Sequence, residues 1–112
     1  MIDALVEVNT TGDPGKFGVP PEKAGELVGA LRKMSGIRVT GLMTIGPFLP
    51  DPEASRPAFR LLSDLRQRLD DGSGTFRHCS MGMTNDFEVA IEEGATMVRV
   101  GTAIFGARAK RN

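Results

Sequence analysis

Three observations predict a parallel α/β fold. Four short apolar runs, near 4–8, 39–45, 76–81 and 96–100, read as strands. Three segments with helical periodicity separate them, giving the order β-α-β-α-β-α-β. Each βα unit takes roughly 30 residues, the period of a (β/α) barrel. Such alternation implies parallel strands joined by right-handed crossovers. A complete eight-stranded barrel takes about 250 residues, whereas the chain has 112. The expectation is about half of a TIM-type (β/α)8 barrel in a single domain, 1–112, with an open parallel sheet as the rival architecture.

The elements follow in order. Ala4 to Val8 is the first strand. Ala24, Leu27, Val28, Leu31 and Met34 then fall on one helical stripe behind Pro20 and Pro21, which suit a helix start, and Gly36 supplies the stop. Val39 to Ile45 is the second strand. Asp51-Pro52-Glu53 opens the second helix with a capping side chain, a proline at the first helical position and an acid favourable to the dipole. Its stripe is Ala58, Leu61, Leu62, Leu65 and Leu69, and Asp70 to Gly74 ends it in a flexible turn. Phe76 to Met81 is the third strand. Thr84 is the expected cap of a short third helix begun by Asn85 and Asp86, with Phe87, Ala90 and Ile91 facing inward before Gly94. Thr96 to Val100 is the fourth strand, followed by a short tail.

The composition is that of an ordinary globular protein, 40% hydrophobic and 25% charged. Fourteen basic residues balance fourteen acidic ones, which argues against nucleic acid or an anionic membrane as the main partner. No apolar run approaches the ~20 residues of a membrane span. Met1-Ile2-Asp3-Ala4 lacks the basic start of a signal peptide, so a cytoplasmic protein is expected. The single cysteine, Cys79, excludes an internal disulfide and a multi-cysteine zinc site.

Ligands of parallel α/β folds bind at the carboxyl ends of the strands. Those ends are Asn9-Thr10-Thr11-Gly12, Ile45-Gly46-Pro47, Ser80-Met81-Gly82-Met83-Thr84 and Gly101-Thr102-Ala103. Small and hydroxyl-bearing residues suit a phosphate there, because glycine admits close backbone approach and helix-start N–H groups favour anions. Equally, they serve as ordinary turn and cap residues. Arg99 lies within an apolar strand, one residue from its end, so it needs a partner or a wet rim. It faces either a bound anion or ring nitrogen, or a structural acid such as Glu92 or Glu93. His78, placed mid-strand without a carboxylate at catalytic spacing, reads as structural. Cys79 reads as buried packing, Asp70-Asp71 as a solvated helix end, and Lys16 as a solvated loop lysine.

Ser80-Met81-Gly82-Met83-Thr84-Asn85-Asp86-Phe87, followed by Glu92-Glu93-Gly94-Ala95-Thr96-Met97-Val98-Arg99-Val100-Gly101-Thr102-Ala103-Ile104-Phe105-Gly106, closely resembles the pyridoxal phosphate homeostasis proteins. This is the YggS/PROSC family, with the fold of the alanine racemase N-terminal domain. Val6 to Thr10, Lys16 to Val19 and Gly41 to Ile45 are similar to its middle strands and the loop between them. The resemblance spans nearly the whole chain and corresponds to the family's C-terminal half. It implies a barrel holding pyridoxal 5′-phosphate (PLP) without established turnover, acting in PLP homeostasis. By the same resemblance, Ser80, Gly101 and Thr102 match positions that hold the phosphate, Thr84 ends the first motif as a further contact, and Arg99 stands toward the ring side. The family's Schiff-base lysine belongs to the other half, and Lys16 does not match it. The resemblance therefore implies a phosphate cradle without its covalent anchor, pairing with a missing N-terminal half or self-association, and no catalysis. A PLP-dependent racemase-like fragment is the alternative, disfavoured by the lack of any tyrosine. Another phosphate-binding half-barrel and a purely structural fragment remain as rivals.

Overall fold

The computed structural model describes residues 1–13, 15–47 and 50–100. Its elements are β1 (Ile2–Glu7), α1 (Pro21–Arg32), β2 (Ile37–Met43), a 3-10 turn (Pro52–Ser55), α2 (Arg56–Leu69), β3 (His78–Met83), α3 (Phe87–Glu92) and β4 (Met97–Arg99). The four strands form one parallel sheet in the order β1-β2-β3-β4. With consecutive order and right-handed crossovers, every helix is carried to the same face of the sheet.

Period-two alternation at the end of β1 records this one-sidedness, whereas in β3 Cys79 to Gly82 are all buried. Val6 and Val8, Leu42, and Cys79 and Met81 are buried in one cluster with Ala24, Val28, Phe59 and Leu62 from α1 and α2. The intervening Leu5, Glu7, Met43 and His78 are only half-buried. Among the described residues, the second face carries no covering layer.

Several expected boundaries move. Helix α1 ends at Arg32, and Met34 leaves the stripe for solvent, 52% exposed, before Gly36 turns the chain at φ +86°. Asp51 does cap, its Oδ1 accepting the Glu53 N–H at 3.0 Å. The turn it starts is a 3-10 turn, however, and the α-helix begins at Arg56. Pro57 explains the restart. An α-helix running from Pro52 would place its ring against the Glu53 carbonyl, whereas the first turn of a new helix tolerates it. Likewise, α3 starts at Phe87 rather than behind a Thr84 cap, so Val89 and Ala90 point inward and Ile91 is 55% exposed.

Two glycines fix the close approaches. A Cβ on Gly41 would overlap the His78 carbonyl of the neighbouring strand. Gly82, at φ +103°, would place a Cβ 2.7 Å from the Ala90 Cβ. These contacts set how tightly β2 meets β3 and how closely α3 closes over the end of β3.

Candidate functional site

The strands deliver one polar side chain after another to their carboxyl ends. Thr10 follows β1, Thr44 follows β2, Ser80 lies on β3 and Arg99 ends β4. Hydrogen bonds join all four. Thr44 Oγ1 donates to the Val8 carbonyl at 2.7 Å, which uses its only hydrogen. The 2.8 Å contact between the two threonine hydroxyls must then have Thr10 as donor. Arg99 donates from Nη1 to Ser80 Oγ at 3.0 Å and from Nη2 to the Thr44 carbonyl at 3.1 Å.

The electrostatics of this layer follow from where the acids go. Glu92 and Glu93, the carboxylates nearest Arg99 in sequence, bind Arg56 and Arg60 on α2 instead. The Arg60 and Arg56 guanidinium groups hold the Glu93 carboxyl below the usual glutamate range. Arg99 meets no carboxylate among the described residues; its two acceptors are a neutral hydroxyl and a neutral carbonyl. A guanidinium has five N–H donors, and two hydrogen bonds engage that of Arg99 among the described residues. Ser80 is 5% exposed, and because its oxygen accepts from Arg99, its own hydrogen is left to donate.

Thr84 sits in the turn between β3 and α3, half-buried, and the Asp86 carboxylate is tied into that turn. Asp86 Oδ1 accepts the Met83 N–H at 2.8 Å and Oδ2 accepts the Ser55 hydroxyl at 2.9 Å. Gly101 and Thr102 lie outside the described residues. A recess of about 340 Å³ opens beside the ends of β1 and β2, lined by Glu7, Gly15, Lys16, Phe17 and Ile45. A second, of about 210 Å³, lies at the amino ends of the strands beside Asp3, Arg38, Arg77 and His78. Parallel α/β folds place ligand chemistry at the carboxyl ends, so the layer of Thr10, Thr44, Ser80 and Arg99 is the candidate site.

His78 opens β3 instead of lying mid-strand, at the end away from that layer, with Nδ1 3.0 Å from Thr96 Oγ1. Cys79 is 1% exposed, and burial pushes its thiol pKa up. Asp70 and Asp71 are engaged by Arg66 and Arg32. Among the described residues, no group of His, Cys, Asp and Glu is arranged to hold a metal ion, and no helix is long and apolar enough to cross a membrane.

Thr44, Ser55 and the structural part played by Asp86 escaped the sequence reading. Thr44 contributes mainly a backbone carbonyl, which leaves no trace in residue type. Ser55 and Asp86 are 31 positions apart, and only the docking of α2 against α3 brings them together.

The family model for the N-terminal domain of alanine racemase matches residues 1–109. A pyridoxal phosphate homeostasis protein of Aquifex aeolicus is 50% identical over 107 residues, covering 95% of this chain and 47% of its own length. A crystal structure from Bifidobacterium adolescentis superposes with TM-score 0.84 at 42% identity, over 93% of this chain and 43% of that one. PipY of Synechococcus elongatus, in a structure with PLP bound, gives 0.74 at 27% identity, over 93% of this chain and 49% of that one. The chain thus spans about half the length of the curated relatives it matches.

Proposed function

The chain belongs to the alanine racemase N-terminal domain family, and we propose that it is the C-terminal half of a PLP homeostasis protein, a non-catalytic cytoplasmic binder of pyridoxal 5′-phosphate. The observation that carries this reading is Arg99, held between Ser80 Oγ and the Thr44 carbonyl with no carboxylate to neutralise it among the described residues. A cation tethered by neutral acceptors at the strand ends fits a ligand that presents a phosphate and an aromatic ring nitrogen. The PLP-bound structure of PipY and the names of the curated relatives support the same ligand.

Ser80, Gly101 and Thr102 would hold the phosphate, with Thr84 at the edge of that loop and Arg99 toward the ring. When bound, the cofactor supplies an aldehyde that reacts reversibly with amines. The protein's part is to bind and orient it. The Ser80 hydroxyl would donate to a phosphate oxygen, and the Thr10–Thr44 pair ties the ends of β1 and β2 together beside Arg99.

The architecture we propose is half of a TIM-type barrel. Consecutive strand order, helices on one face and an uncovered second face are what four of eight barrel strands give. The other half would supply the covalent lysine and cover the open edges of β1 and β4; failing that half, a second copy would pair there. A racemase-like reading lacks a tyrosine in this chain.

Titration of the purified chain with PLP, and separately with inorganic phosphate, tests the reading. Saturable binding with PLP preferred over phosphate, weakened in Arg99→Gln, is the expected result. Equal affinity for the two ligands would favour a generic phosphate half-barrel, and absence of binding would contradict the proposal.

A further inference from the structure

Asp86 presents a buried carboxylate, 7% exposed, that faces no cation among its hydrogen-bond partners. One oxygen accepts the Met83 N–H at 2.8 Å, and the Asp86 N–H in turn donates to the Met83 carbonyl at 3.0 Å. These two bonds shut the turn that follows Ser80. The other oxygen accepts from Ser55, itself 1% exposed, at the junction of the 3-10 turn and α2. Ser55 also stands beside the end of β2, since a Cβ on Gly46 would lie 3.3 Å from its Oγ. The carboxylate therefore joins the carboxyl end of β3 to the segment that roofs the carboxyl end of β2.

We infer that Asp86 and Ser55 are positioning residues for the anion cradle, holding the end of β3 and the 83–86 turn in their binding shape without touching the ligand. The inference rests on the PLP-binding reading above. A carboxylate brings both the geometry that its two hydrogen bonds fix and a negative charge, which opposes anion binding in its neighbourhood. The two contributions are separable. Asparagine keeps an acceptor for the Met83 N–H and an amide that can donate to Ser55 Oγ, whereas alanine removes both bonds.

The test compares Asp86→Asn, Asp86→Ala, Ser55→Ala and Ser55→Thr by PLP titration, thermal melting and amide hydrogen exchange at Met83. Positioning predicts that Asp86→Asn and Ser55→Thr bind within about threefold of the unmodified chain. It predicts that Asp86→Ala binds at least tenfold more weakly and Ser55→Ala several-fold more weakly, each with faster exchange at Met83 below its melting temperature. Lowered melting temperatures with unchanged affinity and exchange would make the pair merely structural and overturn the inference. Should Asp86→Ala fail to fold, Ser55→Ala decides alone by the same two readouts. Absence of PLP binding in the unmodified chain would overturn the functional reading and this inference together; binding that no variant alters would overturn this inference alone.

Discussion

Arg99 donates to Ser80 Oγ at 3.0 Å across the β3–β4 pair, between residues that lie 19 positions apart. The bond places a cation beside the hydroxyl that the family resemblance implies as a phosphate contact.

Removal of the charge at this position tests the pairing. Arg99→Gln is expected to weaken PLP binding by tenfold or more, about 1.4 kcal/mol. Arg99→Lys should recover only part of that loss, since one ammonium cannot reproduce a fork directed at both Ser80 and the Thr44 carbonyl. Equilibrium dialysis measures both variants.

Backbone geometry supplies an independent prediction at Gly82. Any side chain there must hold φ near +103° and push against the Ala90 Cβ. Strained backbone and overpacking together place the cost of Gly82→Ala at about 2–4 kcal/mol, which corresponds to a fall in melting temperature on the order of 10 °C. Unchanged melting would contradict the close approach of α3 to β3.

The Arg56 cluster gives a pH dependence with a definite sign. Glu93 is held below its ordinary pKa by Arg60 and Arg56, and Glu53 by Arg56. Carboxyls depressed in the folded state stabilise it fully above the unfolded glutamate value of about 4.3, and that stabilisation is lost as pH falls through the lower folded values. Arg56→Ala should therefore melt below the unmodified chain at pH 7, with the gap closing in acid and in high salt. Thermal melts at pH 7 and pH 3 read it out. A gap that widens in acid would contradict the assignment.

Cys79 should behave as packing. Its 1% exposure and raised thiol pKa predict no reaction with a thiol reagent in the native state and full reaction after denaturation. Rapid native labelling would mean that β3 is open to solvent.

What the sequence made legible was whatever repeats along the chain or sits in a characteristic residue type. Apolar runs and stripes revealed the four strands and three α-helices of the described residues, because buried strands read as short apolar runs and helices lying on a sheet carry a period of 3.6. Ser80 and Arg99 stood out as a hydroxyl at a strand end and a charge in an apolar strand. Illegible were features created by chain reversal in space. Pro57 is by contrast a local signal that the sequence did carry, since its clash with the carbonyl four residues back displaces the start of α2, while the short α3 rotated Ile91 outward. The Ser55–Asp86 bond and the Thr44 carbonyl depend on packing that no local pattern records.

A cradle that holds PLP without a covalent anchor in this half of the fold leaves the cofactor bound but unlinked. Borohydride reduction of the PLP-saturated chain, followed by mass spectrometry of its peptides, tests it most directly. The expected result is saturable binding that leaves no stoichiometric adduct at any of the four lysines, Lys16 included. A single stoichiometric adduct at Lys16 would contradict it, showing that this half carries an anchor of its own.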